Sequence, residues 1–161
     1  MRGALAVISA ALLLAACGFH LRGQAKLPFD SLYVEGNTAL LVELKRNIAA
    51  GTNTGLVNQA SSAEAIFAVD HELREKVILS LDTSGRVREY QLRYRVGFSL
   101  RDAKGRNWIA PNEIVLTRDI SFNDQVLAKE AEEALLYRDM QTDMVQQIVR
   151  RLAGAQLAQQ G

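Results

Sequence analysis

AIFAVDHELREKVILSL at Ala65–Leu81 and RVREYQLRYRVGFSLR at Arg86–Arg101 are the stretches whose reading decides the fold. In the first, Phe67, Val69, Leu73, Val77, Leu79 and Leu81 hold odd positions, while Asp70, Glu72, Arg74 and Lys76 hold even ones. In the second, Tyr90, Leu92, Tyr94, Val96, Phe98 and Leu100 alternate with Glu89, Gln91, Arg93, Arg95, Ser99 and Arg101. Successive side chains on a strand point to opposite faces, so each stretch predicts a long strand with one apolar and one charged face. Thr83-Ser84-Gly85 turns the chain between them. Asp102 to Gly105 turns it again into a third strand over 107–122, with Pro111 at a bulge or an edge because proline cannot donate to a ladder.

An antiparallel sheet of this kind must cover its apolar face. Asp124 to Leu152 contains no Pro or Gly and carries Leu127, Ala131, Ala134, Leu135, Val145, Ile148, Val149 and Leu152 along one side at helical spacing. Upstream, Ser31 to Glu35 reads as a short strand ended by Gly36, and Asn37 or Thr38 as the cap of a helix bearing Leu41, Leu44 and Ile48 and stopped by Gly51. Thr52 to Ala63 is a polar loop in which Leu56-Val57 forms a brief extended piece. The expected architecture is α+β, a two-layer sandwich whose mostly antiparallel four-stranded sheet packs against two helices in the order β-α-β-β-β-α over residues 31–153. Residues 17–30 read as a tether, since Gly23 and Pro28 break any element, and 154–161 as a flexible tail.

The amino terminus bears on destination. Met1-Arg2-Gly3 is cationic, and Ala4 to Ala16 is an uncharged, mostly apolar run too short to span a bilayer, the layout of a signal peptide over residues 1–16. Leu14-Ala15-Ala16-Cys17 is similar to the bacterial lipobox, in which the thiol is acylated and the chain is cut before Cys. The plainer alternative is a buried Cys at the end of a secreted leader. Lipidation accounts for the single Cys lying here, since acyl chains contribute about 0.8 kcal/mol per buried CH₂. Gly18 follows rather than Asp, the residue that retains such proteins at the inner membrane in enteric-type bacteria, so the expected site is the outer membrane.

Chemistry elsewhere is sparse. One Cys and two His leave too few soft ligands for a usual metal site, and 19 basic against 18 acidic side chains give no excess for nucleic acid. No nucleophile elbow, zinc-protease helix, phosphate loop or dinucleotide turn is present, which points away from an enzyme and from cofactors other than the covalent lipid on Cys17. His71 reads as a core or edge histidine. Arg138 breaks its local rule: at 100° per residue it lies within about 20° of Leu127 and Val145, inside the apolar stripe. Either the helix overhangs there and the stem reaches water, or the guanidinium is an anion site. Arg86 and Arg88 supply similar charges at the start of the second strand.

Cys17-Gly18-Phe19-His20-Leu21-Arg22-Gly23 directly after the lipobox resembles the opening of the LptE family of lipopolysaccharide (LPS) assembly lipoproteins. The resemblance continues through Glu89-Tyr90-Gln91, Phe122-Asn123, Leu127-Ala128-Lys129-Glu130 and Arg150-Arg151-Leu152. It implies a non-enzymatic outer-membrane protein of the Gram-negative envelope that plugs an LptD-like β-barrel, binds LPS directly and assists its assembly at the cell surface. It also implies an LPS contact on the last helix at Arg138, with Lys129 as a further candidate cation on that helix. A second basic position of the family falls on Thr83, where Arg86 or Arg88 would have to replace it. The alternative is a lipid-anchored scaffold of envelope maintenance that never touches LPS.

Overall fold

The structure, a computed structural model, describes residues 25–121 and 126–156, and for 126–129 the backbone only. Strand β1 (Ser31–Val34) leads into helix α1 (Ala39–Gly51), whose first turn is capped by Thr38, its Oγ1 accepting from the Leu41 N–H at 3.4 Å. A cap oxygen there satisfies one of the four N–H groups that an α-helix leaves without partners. After α1 come β2 (Gly55–Leu56), β3 (Ala65–Leu81), β4 (Val87–Arg101), β5 (Asn107–Ser121) and α2 (Val126–Ala153).

The sheet has five strands in the order β2-β1-β3-β4-β5, one more than expected. The extra strand lies in the Leu56-Val57 region, where Gly55 and Leu56 pair in parallel with Ser31 and Leu32. Two residues are too few to carry a periodic signal. β1 also runs parallel to β3, with α1 in the crossover between them, whereas β3, β4 and β5 are antiparallel.

Both helices cover one face and lie side by side in parallel: Gln141 and Thr142 of α2 donate to the Glu43 carboxylate at 2.7 and 2.9 Å, and Gln146 to Asn47 at 3.1 Å. Leu92, Tyr94, Val96, Phe98 and Leu100 of β4 meet Leu40, Leu44 and Ile48 of α1 and Met140, Met144, Val145 and Ile148 of α2 in one buried core. The β4 register is the expected one, with Arg93 and Arg95 on the open face opposite the helices.

The end of the expected tether, residues 25–30, belongs to the domain. Leu27 and Phe29 are buried in the core, Ala25 bridges to Thr52, and Phe29 meets the Trp108 ring edge-on at 5.6 Å. Two apolar residues around a proline show no periodicity, yet they seal the end of the sandwich. The tail reading is narrowed likewise: Ala155 is buried, while 157–161 lie outside the described residues.

β3 departs from the expected alternation. Its pairing with β4 shifts between Val69, opposite Phe98, and His71, opposite Gly97, so Asp70 is an extra residue. One inserted residue reverses the faces of everything beyond it. From there on Glu72, Arg74, Lys76 and Ile78 turn toward the helices, whereas Leu73 and Val77 turn to the open face. Leu73, Leu79 and Leu81, expected inside, are exposed. The same shift takes His71 to the open face, where Nε2 lies 2.8 Å from the Glu113 carboxylate of β5. Its ring crosses over Gly97, at which a Cβ would stand 2.3 Å from a ring carbon. Glu113 also pairs with Arg95 at 3.1 Å, and these two bonds, that of His71 first, hold its carboxyl below the usual range.

Candidate ligand surface at the hairpin and helix overhang

α2 is longer than α1, and α1 covers only part of it. The Glu43 contacts reach back to Gln141, and N-terminal to that residue α2 meets β3 through Tyr137 and Glu133 while Met140 stays in the core. Arg138 shares a helix face with Val145, seven residues on. Val145 is buried in the core, whereas Arg138, level with the first turn of α1 by the Glu43–Gln141 contact, is exposed. It has no ion pair among the described residues. Its exposure at this end of the helix pair explains how a guanidinium tolerates an apolar stripe.

The underside of the overhang is polar because of the Asp70 bulge. Arg74 places its guanidinium 5.0 Å from the centre of the Tyr94 ring and 5.6 Å from that of Tyr137, and donates to Gln141 Oε1 at 2.9 Å. Such a cation on two aromatic faces gains ~0.5–2 kcal/mol per ring, according to how dry the site is. Lys76 pairs with Glu133 at 2.6 Å and stands over the Tyr90 ring at 4.6 Å. The Tyr94 hydroxyl donates to Glu72 at 2.7 Å, and burial first, then this carboxylate, push the phenol well above its ordinary value. The Tyr137 hydroxyl donates to the Glu75 carbonyl at 2.7 Å, and burial raises that phenol too.

Arg86 and Arg88 sit at the β3–β4 turn. Asp82 begins this turn: its Oδ1 accepts from the N–H groups of Ser84 and Arg86, and its Oδ2 accepts from Arg86 Nε at 3.0 Å. The Arg86 N–H foremost holds the Asp82 carboxyl below the usual range. Asp102 repeats the arrangement with Lys104 and Arg106 in the β4–β5 turn; burial pushes its carboxyl up, but Arg106 and the two N–H groups outweigh this and lower it. Gly85 and Gly105 adopt φ of 78° and 81°, which completes both turns. The sequences D-T-S-G-R and D-A-K-G-R carried the signal of this role for Arg86, which the strand reading overlooked. Arg88 is exposed and has no ion pair among the described residues.

The structure does not bring Arg138 and the tip arginines together. Tyr137 lies level with Glu75, and the turn begins seven residues further along β3, roughly 20 Å at about 3.3 Å per residue. Lys129 lies on α2, but its side chain is outside what is described, as is Cys17 altogether. Sequence reasoning missed Arg74, Lys76 and Ile78 as residues of the helix-facing side, because the apolar parity continues unbroken across Asp70 and nothing in the residues announces the shift.

The fold and the hairpin define the class, a small α+β sandwich with a five-stranded sheet, one long hairpin and two helices on one face. The lipoprotein B structure from Nitrosomonas europaea matches with a TM-score of 0.73 and 46% identity, over 84% of this chain and 90% of that one. Rare lipoprotein B from Shewanella oneidensis (TM-score 0.67, 24% identity, 77% and 94% covered) and a minor lipoprotein from Acinetobacter baumannii (0.68, 24%, 83% and 99%) share the fold. No curated protein sequence matches significantly. Residues 29–152 match the model of the LptE family, described as lipopolysaccharide-assembly, and the chain belongs to that family. Membership makes it an envelope lipoprotein with a general role in LPS assembly. No helix among the described residues is long and apolar enough to cross a membrane, and they hold no group of three or more His, Cys, Asp or Glu able to bind a metal.

Proposed function

We propose that this protein is a non-enzymatic LPS-assembly factor, anchored to the outer membrane by acyl chains on Cys17, that seats in an LptD-like β-barrel and binds LPS directly. Arg138 is the principal phosphate contact, with Arg88, Arg86 and Lys129 as further cations. The observation that carries this reading is the exposure of Arg138, without an ion pair among the described residues, at the free end of the helix pair. A guanidinium held in a planar fork suits phosphate oxygens, and its bonds to them are roughly twice as strong as neutral ones. The open sheet face supports a barrel partner: His71, Glu75, Arg95 and Glu113 form a charged network across three strands, and a barrel lumen is polar.

Affinity capture from host membranes, with intact-mass measurement of the captured chain, tests the reading. The expected result is one large barrel protein in equal amount, bound LPS, and a mature form beginning at an acylated Cys17. Recovery of other envelope proteins alone, without barrel or LPS, would leave the scaffold alternative.

A further inference from the structure

The end of the β3–β4 hairpin exposes three large aliphatic residues within four positions: Ile78 at 59%, Leu79 at 45% and Leu81 at 55%. Ile78 pairs with Tyr90, and the ladder shifts again at the next residue, making Leu79 a second extra residue. This bulge presents a side chain outside the alternation, so the apolar surface at the tip is broader than one face of a strand allows. Contiguous exposed apolar surface rimmed by polar groups marks a site of interaction.

We propose that Ile78, Leu79 and Leu81 dock acyl chains of the same LPS molecule whose phosphates the nearby cations hold. This rests on the reading above that the protein binds LPS. An exposed cation at the tip suits an anionic amphiphile locally: Asp82 is paired with Arg86, while Arg88 is exposed and has no ion pair among the described residues. Glu89, which accepts from the neutral Ser80 hydroxyl, keeps its charge, so the tip as a whole is balanced. In an anionic amphiphile of this class the phosphates lie next to the acyl chains, matching a cation next to an aliphatic cluster. The polar lumen of a barrel does not match such a cluster.

Binding of two probes by the purified protein tests this: intact LPS, and the same LPS stripped of its acyl chains. Ile78→Ser combined with Leu81→Ser should weaken binding of intact LPS at least tenfold, about 1.4 kcal/mol, and leave the deacylated probe unchanged. These residues are exposed, so the variant should melt close to the parent. Leu79→Trp provides a second measurement, since its emission should shift to the blue with intact LPS only; the single native Trp108 sits against Phe29 at the opposite end of the hairpin. Unchanged affinity of the Ser variant for intact LPS, or no shift from Leu79→Trp, overturns the acyl-chain site while phosphate binding stands. Loss of barrel capture without loss of LPS affinity overturns it too, giving the cluster to the barrel. Failure of the parent to bind either probe removes the LPS reading itself, and the acyl-chain site with it.

Discussion

Tyr94→Phe removes one oxygen atom from the centre of the domain and tests the reversal of faces along β3. The Tyr94 hydroxyl donates to Glu72 at 2.7 Å, and Glu72 reaches it only because Asp70 is an extra residue in its strand. A hydrogen bond to a charged acceptor is worth ~1.5–3 kcal/mol. Glu72 keeps 22% of its side chain exposed and has Arg74 at 3.8 Å, so water and that cation recover part of the loss. The ring itself stays, and with it the Arg74 contact at 5.0 Å. The expected cost is therefore about 1–2 kcal/mol, a fall in Tm of roughly 4–8 °C for a domain of this size. Urea unfolding of Tyr94→Phe, Glu72→Gln and the double variant measures the coupling. Alkaline pH adds a check of sign: the folded phenol titrates above the ordinary value of 10.0, so the stability it contributes is complete below pH 10 and is lost as pH rises through that value and the unfolded chain ionises. Tyr94→Phe should flatten this alkaline decline. A cost below about 0.5 kcal/mol, or single effects that add within that margin, would refute the placement of Glu72 on the inner face.

Arg138→Asp should weaken LPS binding by more than one charge-assisted hydrogen bond, about 1.5–3 kcal/mol, because repulsion replaces attraction. It should change stability by under ~0.5 kcal/mol, whereas Val145→Asp in the core prevents folding; binding assays and melts of each variant check both. Gly97→Ala should lower Tm because its Cβ displaces the His71 ring, and should cost nothing in a His71→Ala background; an equal cost in both backgrounds refutes the crossing of ring over glycine. Glu113, its carboxyl depressed by His71 and Arg95, contributes stability above the ordinary carboxylate value, lost as pH falls through its folded value. Glu113→Gln should therefore flatten the acid limb of stability measured from pH 7 downward, and an unaltered limb would show the network to be idle.

Much of the molecule was legible in its residues because the relevant signals are local. Alternation over Arg86–Arg101 put Tyr90 through Phe98 inside and Arg93 and Arg95 outside, since the side-chain period of a strand depends only on the backbone. A helix free of Pro and Gly, a cap at Thr38 and turns at Gly85 and Gly105 are likewise properties of a few neighbouring positions. The LptE-like residues around Cys17 and on the last helix identified the family, which the match over 29–152 bears out.

Pairing between distant segments decided the rest. The register of β3 depends on where β4 accommodates an extra residue, and an inserted residue leaves the parity of the sequence intact while exchanging the faces of the strand. Arg74 and Lys76 beneath α2, and Leu73 on the open face, follow from that one shift at Asp70. Leu27 and Phe29 count as core only because the sandwich leaves an end for them to close. Arg138 lies on the same face of the same helix as Val145, and sequence assigns both the same angle; the packed domain buries Val145 in the core and leaves Arg138, level with the first turn of α1, in water. Angle and period are set by covalent geometry and the local hydrogen-bond ladder, whereas burial is a relation between elements, so only the packed domain could decide it.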